Sequence, residues 1–573
     1  MISRQAVVLD PLSSAKECKS PASICSEEGR GNNESSLAAS FVFVESQPDN
    51  KILQRHATVV HHPSPSQEED DEYPLIDGEE KQALIHRVSL IHPAGNGEEI
   101  FSLLITNYRI VVVDSDLWIP LTSVLDVKVG QRLDIKTKDC RFFQFNIGDE
   151  SGRNSLIKLL NKLIFSISPN ELMPLHRQVK NFAQTSVRIL NLEKELTRLV
   201  GSPSADDFKI KISNGNADFS VCPTYPRLLI VPECASKENL IGCSKFRDKG
   251  RIPVLSWISS TSRGGAIWRS SQPKSSILNR SGEDEEYLKQ AGIMFIIDCR
   301  PMLNAYANIA NGAGVESLGN YHKGIELWFA GIHNIHHVRE SWEKTFILAQ
   351  QYYAASIGGG GGWLVGLENT GWLEYIQSIL KAASVLAEKV SLLKIPVLCR
   401  CSHGLDRTSQ VVSLAMLAID PYYRTIEGFG VLIEKEWIAM GHRFHSRYCI
   451  GEAPHDDVSP IFSQWIECVY QLVVQYPDEF EFTPQYLVAI LFGVLSGRFS
   501  NFLFDSDKER SEHGLDGEMV TDCIWAELWK HKSKYENLNY QERKSGSTLE
   551  IDYRISSLQL FTKLWLSPSR INF

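Results

Sequence analysis

Cys401 and Arg407, with five residues between them, are the pair whose chemistry this sequence defines most sharply. The turn that joins them holds Ser402, His403, Gly404, Leu405 and Asp406. An apolar strand over 395–399 leads into the turn, and an apolar helical run over 411–419 follows it. A short loop at a helix N-terminus can aim several backbone N–H groups at one point, which makes a nest for a phosphate. Arg407 adds a planar two-point clamp for phosphate oxygens. The same positive surroundings lower the pKa of Cys401, so that a thiolate is available to attack phosphorus. Gly404 suits a loop that needs unusual dihedrals. The alternative is a buried cysteine at a strand end with an arginine opening a helix, and it leaves this strand–turn–helix context unexplained.

Strands are expected over 225–232, within 246–257 after a Gly turn, over 293–298 and over 395–399, alternating with helical stretches such as 373–390. The class is therefore α/β, with a central mixed sheet flanked by helices. Beyond the loop, a helix is expected to begin after 422 and end near Trp437, and further helices over 460–474 and 484–496. Arg443 and Arg447 are four residues apart and share a face if helical, with surface ion pairing as the default reading. Asn308 and Asn334 stand beside turns, where capping is the default. The glycine run 358–362 reads as a flexible insertion. His333, His336 and His337 match no standard metal spacing, so neither metal nor cofactor is expected.

Ahead of this region, residues 1–72 are rich in Ser, Asn, Pro and Glu and read as a disordered leader ending in an acidic run. Short alternating segments at 83–91, 100–106, 108–114, 123–129, 133–137 and 141–147 then predict strands. A helix follows with Leu156, Leu159, Leu160, Leu163 and Ile164 on one side. This predicts a small β-barrel capped by a helix over 73–170. A helical linker follows over 171–200, with a helix at 187–200. A large domain spans 201–566, and a short tail covers 567–573.

With 573 residues, 43% hydrophobic and 22% charged, the chain reads as a soluble globular protein of two to four domains. A net charge of −10 argues against a nucleic-acid partner but leaves anionic lipids open, because local patches decide that. The 12 cysteines lack paired spacing, so neither a disulfide framework nor a zinc site is indicated, and a cytoplasmic setting fits best. The longest apolar runs are about half the ~20 residues of a membrane span. The N-terminus has no signal-peptide pattern, so membrane contact is expected to be peripheral. No heptad tail for a coiled coil is seen.

The stretch 401–408 resembles the active-site loop of the myotubularin lipid phosphatases, whose usual form is Cys-Ser-Asp-Gly-Trp-Asp-Arg-Thr. Cys401, Gly404, Asp406, Arg407 and Thr408 agree; His403 replaces an Asp and Leu405 a Trp. Residues 246–257 and 283–288 also resemble that catalytic domain, and the likeness runs from about 225 to 565. Residues 106–109 resemble a piece of the PH–GRAM domain that precedes it, with lipid recognition and a scaffold role both open.

The resemblance implies a phosphoinositide 3-phosphatase acting on phosphatidylinositol 3-phosphate and the 3,5-bisphosphate, peripheral on endosomal or other intracellular membranes. Other family members are implied as further partners. It makes Cys401 the nucleophile and Arg407 the clamp. Asp406 becomes the acid that protonates the leaving inositol oxygen and later activates water, and Thr408 a partner of the thiolate. Asn308, Asn334 and Ile335 would line the headgroup pocket with Ser402, His403, Gly404 and Leu405, and Arg443 and Arg447 would reach the headgroup. A protonated His403, with an ordinary pKa of about 6.5, would attract a second phosphate in mild acid; a His403 turned to solvent would do nothing. The rival readings are a protein-tyrosine phosphatase and a catalytically weak or dead membrane adaptor.

Overall fold

The computed structural model describes residues 41–43, 73–76, 78–92, 99–147, 152–166, 171–172, 189–201, 209–260, 264–275, 280–307, 314–355, 362–450, 455–515, 523–542 and 548–566. Asn308, the tail 567–573, most of the leader and most of the glycine run therefore lie outside the described residues.

The expected N-terminal β unit is an antiparallel eight-stranded sheet. Its strands are β1 (Phe41–Phe43), β2 (Lys81–His92), β3 (Ile100–Thr106), β4 (Arg109–Val112), β5 (Trp118–Pro120), β6 (Val124–Val129), β7 (Arg132–Thr137) and β8 (Phe142–Asn146). The path runs β5-β4-β3-β2-β8-β7-β6, with β1 beside β2. Between the end strands β5 and β6 the chain makes a 3-10 turn, Leu121–Ser123, rather than a backbone ladder. Alternation builds one apolar face: along β7, Leu133 and Ile135 are buried between more exposed residues, and Phe143 and Phe145 on β8 face the same core. The helix Arg153–Phe165 closes that core with Leu156, Leu160 and Ile164, at the three- and four-residue spacing of a helix face.

Behind this unit the chain is α/β. The predicted helix over 187–200 is seen from Leu192 to Val200, with the Asn191 side chain accepting from the Lys194 amide at its start. A small ladder pairs β9 (Ile210–Ser213) with β10 (Leu229–Pro232). The main sheet has the order β11-β12-β15-β13-β14, from β11 (Val254–Ile258), β12 (Ala266–Ser270), β13 (Phe295–Asp298), β14 (Glu326–Phe329) and β15 (Pro396–Arg400). All neighbours are parallel except β11 and β12. The central strand β15 has Val397, Leu398 and Cys399 without exposed surface, hence its unbroken apolar run. The helices Trp372–Ser391, Arg407–Ile419 and Ile461–Gln475 share one apolar core with it.

Two expectations about segments change. The strands read over 225–232 and 246–257 shrink to their last residues, β10 and β11. Residues 248–250 form the expected glycine turn ahead of β11, with Lys249 at φ 51° and Gly250 at φ 71°. A Cβ on Gly250 would lie 2.6 Å from Val221 O, so the close approach requires glycine. The helix expected after 422 is Ile426–Ile433, continued by one π-helical stretch, Glu434–Ala439.

The N-terminal sheet docks on the helix Pro484–Leu495. Trp118 meets Phe492 edge to face at 5.0 Å, the Thr122 hydroxyl donates to Leu495 O (2.8 Å), and Lys138 Nζ donates to Cys449 O (3.1 Å). Among the described residues no helix is long and apolar enough to cross a membrane.

Candidate active site

β15 ends at Arg400, and the helix Arg407–Ile419 starts six residues after Cys401, so the loop 401–406 is pinned at both ends by buried elements. Cys401 is buried, and its Sγ receives the Gly404 amide (3.2 Å) and the Thr408 hydroxyl (3.2 Å). Burial opposes a charged sulfur, but the Arg407 guanidinium and the Thr408 donors outweigh it, and the Cys401 pKa falls below that of an ordinary thiol.

The loop carbonyls are drawn outward. Ser402 O accepts from the Gln272 amide (3.0 Å). Gly404 O accepts from Arg251 Nη2 (3.1 Å) and Arg269 Nη2 (2.8 Å). Leu405 O accepts from His442 Nδ1 and Ser409 Oγ. With carbonyls engaged on the outside, N–H groups are left for the inside of the turn, which is what an anion nest needs. Gly404 has φ 70°, and a Cβ there would sit 2.4 Å from Ser270 O. Here both conformation and space demand glycine.

Arg407 donates to Ile332 O (3.1 Å) and Ser402 Oγ (3.4 Å) and has no carboxylate partner among the described residues. Most of the other buried arginines near the loop are neutralised; Arg251 instead spends its donors on Thr224 O, Thr224 Oγ1, Gly404 O and Met440 O. Arg400 pairs with Asp298 and Glu316, Arg247 with Asp284 and Glu316, Arg300 with Asp298, and Arg269 with Glu436. Such pairing keeps buried cations from paying the full desolvation cost. Arg407 is left with its charge for an incoming anion.

Asp406 is gripped by Arg447 (Nη2–Oδ2 2.8 Å, Nε–Oδ1 3.1 Å), with His442 Nδ1 3.1 Å from Oδ1. Burial would raise its pKa, but Arg447 and His442 prevail and hold it well below the usual carboxylate range. Asp406 is therefore ionised in the free site.

The remaining predicted residues divide. Arg443 and Arg447 lie on the same side, one at the start and one inside the short helix Phe444–Tyr448, with Asp457 between them. Both are already engaged: Arg443 bonds Asp457 (2.8 Å), Asp505 (3.2 Å) and the Ser446 hydroxyl. Asn334 caps the helix Ile335–Ala355, its Oδ1 accepting from the His336 and His337 amides. Ile335 O accepts from Ser459 Oγ, and the Ser459 amide donates to Arg447 O, which ties this turn to the Arg447 helix. Leu405 is buried, and its carbonyl is engaged by His442 and Ser409.

His403 is about half exposed, with Nε2 3.2 Å from Asp248 Oδ2. Burial and the Lys249 charge hold its pKa below the ordinary imidazole value despite Asp248. In the free site this works against the charging of the ring in mild acid that the resemblance suggests. Its protonation needs a lower pH, and its nearest charge is a carboxylate on the 248–250 turn.

Sequence reasoning missed the residues that hold the loop from outside: Arg251, Arg269, Gln272 and His442. One signal was available. Arg269 is a charge directly after the apolar residues Ala266, Ile267 and Trp268 of the fully buried β12, a position that a buried strand tolerates only when the charge has partners.

A loop of this kind, closing a central parallel strand and opening a buried helix, places the fold among the cysteine-dependent phosphatases. The sequence matches the myotubularin-like phosphatase domain over residues 168–511. It is 37% identical over 486 residues to the Gallus gallus phosphatidylinositol-3,5-bisphosphate 3-phosphatase MTMR8, spanning 83% of this chain and 73% of that one. It is 35% identical over 528 residues to Xenopus tropicalis myotubularin, spanning 87% and 84%. It is 38% identical over 384 residues to the Homo sapiens phosphatidylinositol-3-phosphate phosphatase MTMR7, spanning 66% and 56%. The chain belongs to the myotubularin-like phosphatase family.

Proposed function

We propose that the protein removes the 3-phosphate from phosphatidylinositol 3-phosphate and phosphatidylinositol 3,5-bisphosphate through a phosphocysteine. The observation that carries this reading is the pairing of a stabilised Cys401 thiolate with an Arg407 that has no carboxylate partner among the described residues. The names of the relatives supply the substrate class.

In the first step Cys401 Sγ bonds to phosphorus and the bond to the inositol 3-oxygen breaks. Arg407 and the inward N–H groups hold the phosphoryl oxygens as charge moves onto them. The leaving oxygen takes a proton from Asp406. Because Asp406 is ionised in the free site, it takes up that proton from solvent as the phosphate's negative charge enters beside it. In the second step water attacks phosphorus, the S–P bond breaks, and the ionised Asp406 accepts the water's proton.

The headgroup lies against Asn308, Asn334, Ile335, Ser402, His403, Gly404 and Leu405 in this reading, with Arg443 and Arg447 beyond them. Residues 73–170 act as a PH–GRAM-like domain, 171–200 as a linker and 201–566 as the phosphatase domain, which works peripherally on endosomal or other intracellular membranes. Peripheral docking is supported by the apolar rim: Met302, Leu303 and Tyr306 are exposed on the helix Met302–Ala307, just after Arg300. The test is phosphate release from a phosphoinositide panel beside a phosphotyrosine peptide, with Cys401→Ser as control. Release confined to 3-phosphorylated lipids and lost in the variant is expected; a preference for the peptide, or undiminished turnover in the variant, overturns the reading.

A further inference from the structure

His442 lies wholly inside the protein, 37 residues beyond the loop it touches. The π-helical stretch Glu434–Ala439 ends just before it, and Gly441 turns the chain at φ 72°, where a Cβ would meet Thr224 O at 2.3 Å. That turn delivers the imidazole between the rings of Trp437 (4.7 Å) and Phe444 (4.8 Å), both meeting it edge to face. Its Nδ1 is 3.1 Å from Leu405 O and 3.1 Å from Asp406 Oδ1. A carbonyl and an ionised carboxylate can only accept, so Nδ1 carries the hydrogen. Nε2 is buried and meets no partner. A hydrogen there would be a stranded donor, whereas a bare nitrogen against ring edges costs less. All the polar business of this side chain is therefore conducted at one atom, and both acceptors belong to the catalytic loop.

We propose that His442 is a positioning residue for the reaction, and that it acts through Asp406 and the Leu405 carbonyl. Its single N–H turns that carbonyl out of the phosphate nest. It also fixes the Asp406 carboxylate in the orientation from which it exchanges a proton, first with the leaving oxygen and then with water. Arg447 supplies Asp406 with countercharge from the other side; His442 supplies direction. The inference rests on the phosphatase reading above and names a further residue of that same site.

The full-length protein and its His442→Ala, His442→Asn and His442→Gln variants are compared on dioctanoyl phosphatidylinositol 3-phosphate across pH 5 to 8.5, with thermal unfolding recorded for each. The charged and titratable groups around Asp406, namely Arg447, Cys401 and His403, are the same in all four. The Ala variant is expected to lose roughly ten- to a hundredfold in kcat, the size of one hydrogen bond to a charged group, with KM changed far less. The alkaline limb of its kcat/KM profile, where the proton donor Asp406 is lost, moves to higher pH, because Asp406 has lost a donor that favours its ionised form. The Asn side chain places an N–H where Nδ1–H was and restores most of the rate and the wild-type limb. The Gln amide reaches toward the Nε2 side and restores neither.

Equal losses for Asn and Gln with an unmoved pH limb would make His442 a space-filling residue and overturn the inference. So would an Ala variant with wild-type kcat. If the wild-type protein itself releases no phosphate from this lipid, the phosphatase reading fails and the inference falls with it, an outcome distinct from an active wild type with indifferent variants.

Discussion

Arg447 holds Asp406 in a two-point fork, Nη2 to Oδ2 at 2.8 Å and Nε to Oδ1 at 3.1 Å. The spacing of Arg443 and Arg447 alone suggests ion pairing, whereas the resemblance to the family implies that they reach the headgroup. In the free site, however, Arg447 faces the protein's own loop, and Arg443 is shared by Asp457 and Asp505. A headgroup that draws on these cations must compete with carboxylates already in place.

Replacing Arg447 by Met should therefore act on Asp406. Burial alone raises a carboxylate pKa, so without its main countercharge Asp406 titrates higher. The alkaline limb of kcat/KM moves up in pH, and turnover at pH 7 falls by at least about tenfold, the cost of one charge-assisted contact. The stability effect has a definite sign. A depressed folded pKa contributes stability above the unfolded value of about 3.9, lost as pH falls through the folded value. The variant should thus be less stable than wild type at pH 7, and the gap should narrow in acid. A gap that stays constant down to pH 3 would exclude this account.

Thr408→Val keeps the shape of the side chain but removes the donor to Cys401 Sγ. The thiolate loses about 0.5–1.5 kcal/mol of stabilisation, so the Cys401 pKa rises by up to about one unit. The rate of iodoacetamide alkylation against pH measures this directly. The midpoint should lie below that of an ordinary thiol in wild type and move upward in the variant; coincident curves would mean the hydroxyl does not serve the sulfur.

The parts of this molecule legible in its sequence are those governed by local pattern. The β15 run Val397–Leu398–Cys399 is apolar because both its faces are covered, and the period-two alternation of β7 and β8 reports one covered face. The loop was legible because a phosphate nest needs its chemistry within a few residues. What escaped was assembled across long separations. Arg251 and Arg269 reach Gly404 O from 153 and 135 residues away, and Asp406 meets Arg447 across 41. The glycine turn ahead of β11 was legible too, from Gly250; what escaped is that the turn carries Asp248 toward His403 and Arg251 toward the loop. For Asn334 local pattern sufficed, and the capping it suggests is what the side chain does in the free protein.

The exposed rim gives a prediction about lipid presentation. Leu303 is 79% exposed, with Met302 and Tyr306 also exposed on its short helix, which follows the Arg300 that braces Gln272 behind the loop. If this rim rests on the bilayer, Leu303→Glu sets a charge against it and should cut turnover on phosphatidylinositol 3-phosphate in vesicles several-fold. Hydrolysis of a water-soluble dibutanoyl analogue should be untouched. Equal effects on both substrates would place Leu303 in the pocket or the fold instead.

The last prediction concerns Glu467, buried far along the chain from the loop. Its Oε2 accepts the indole N–H groups of Trp372 (2.7 Å) and Trp565 (2.9 Å), and its Oε1 the amide of Phe561 (3.0 Å). This one carboxylate thus ties the segment around 561–565 to two core helices. Burial pushes its pKa up from 4.5 to about 7, because three neutral donors only partly replace the lost water. A raised folded pKa contributes stability that is fully present below the unfolded value and is lost as pH rises through the folded one. Between about pH 4.5 and 7 the protein should therefore lose on the order of 3 kcal/mol from this group. Glu467→Gln fixes a neutral side chain at every pH. It leaves one N–H without an acceptor, so it costs stability near pH 5, where wild type is mostly protonated. That deficit should shrink as pH rises toward 8 and the wild type pays to ionise. Thermal unfolding of both proteins from pH 5 to 8 measures the difference; a deficit independent of pH would mean that Glu467 does not titrate within this window.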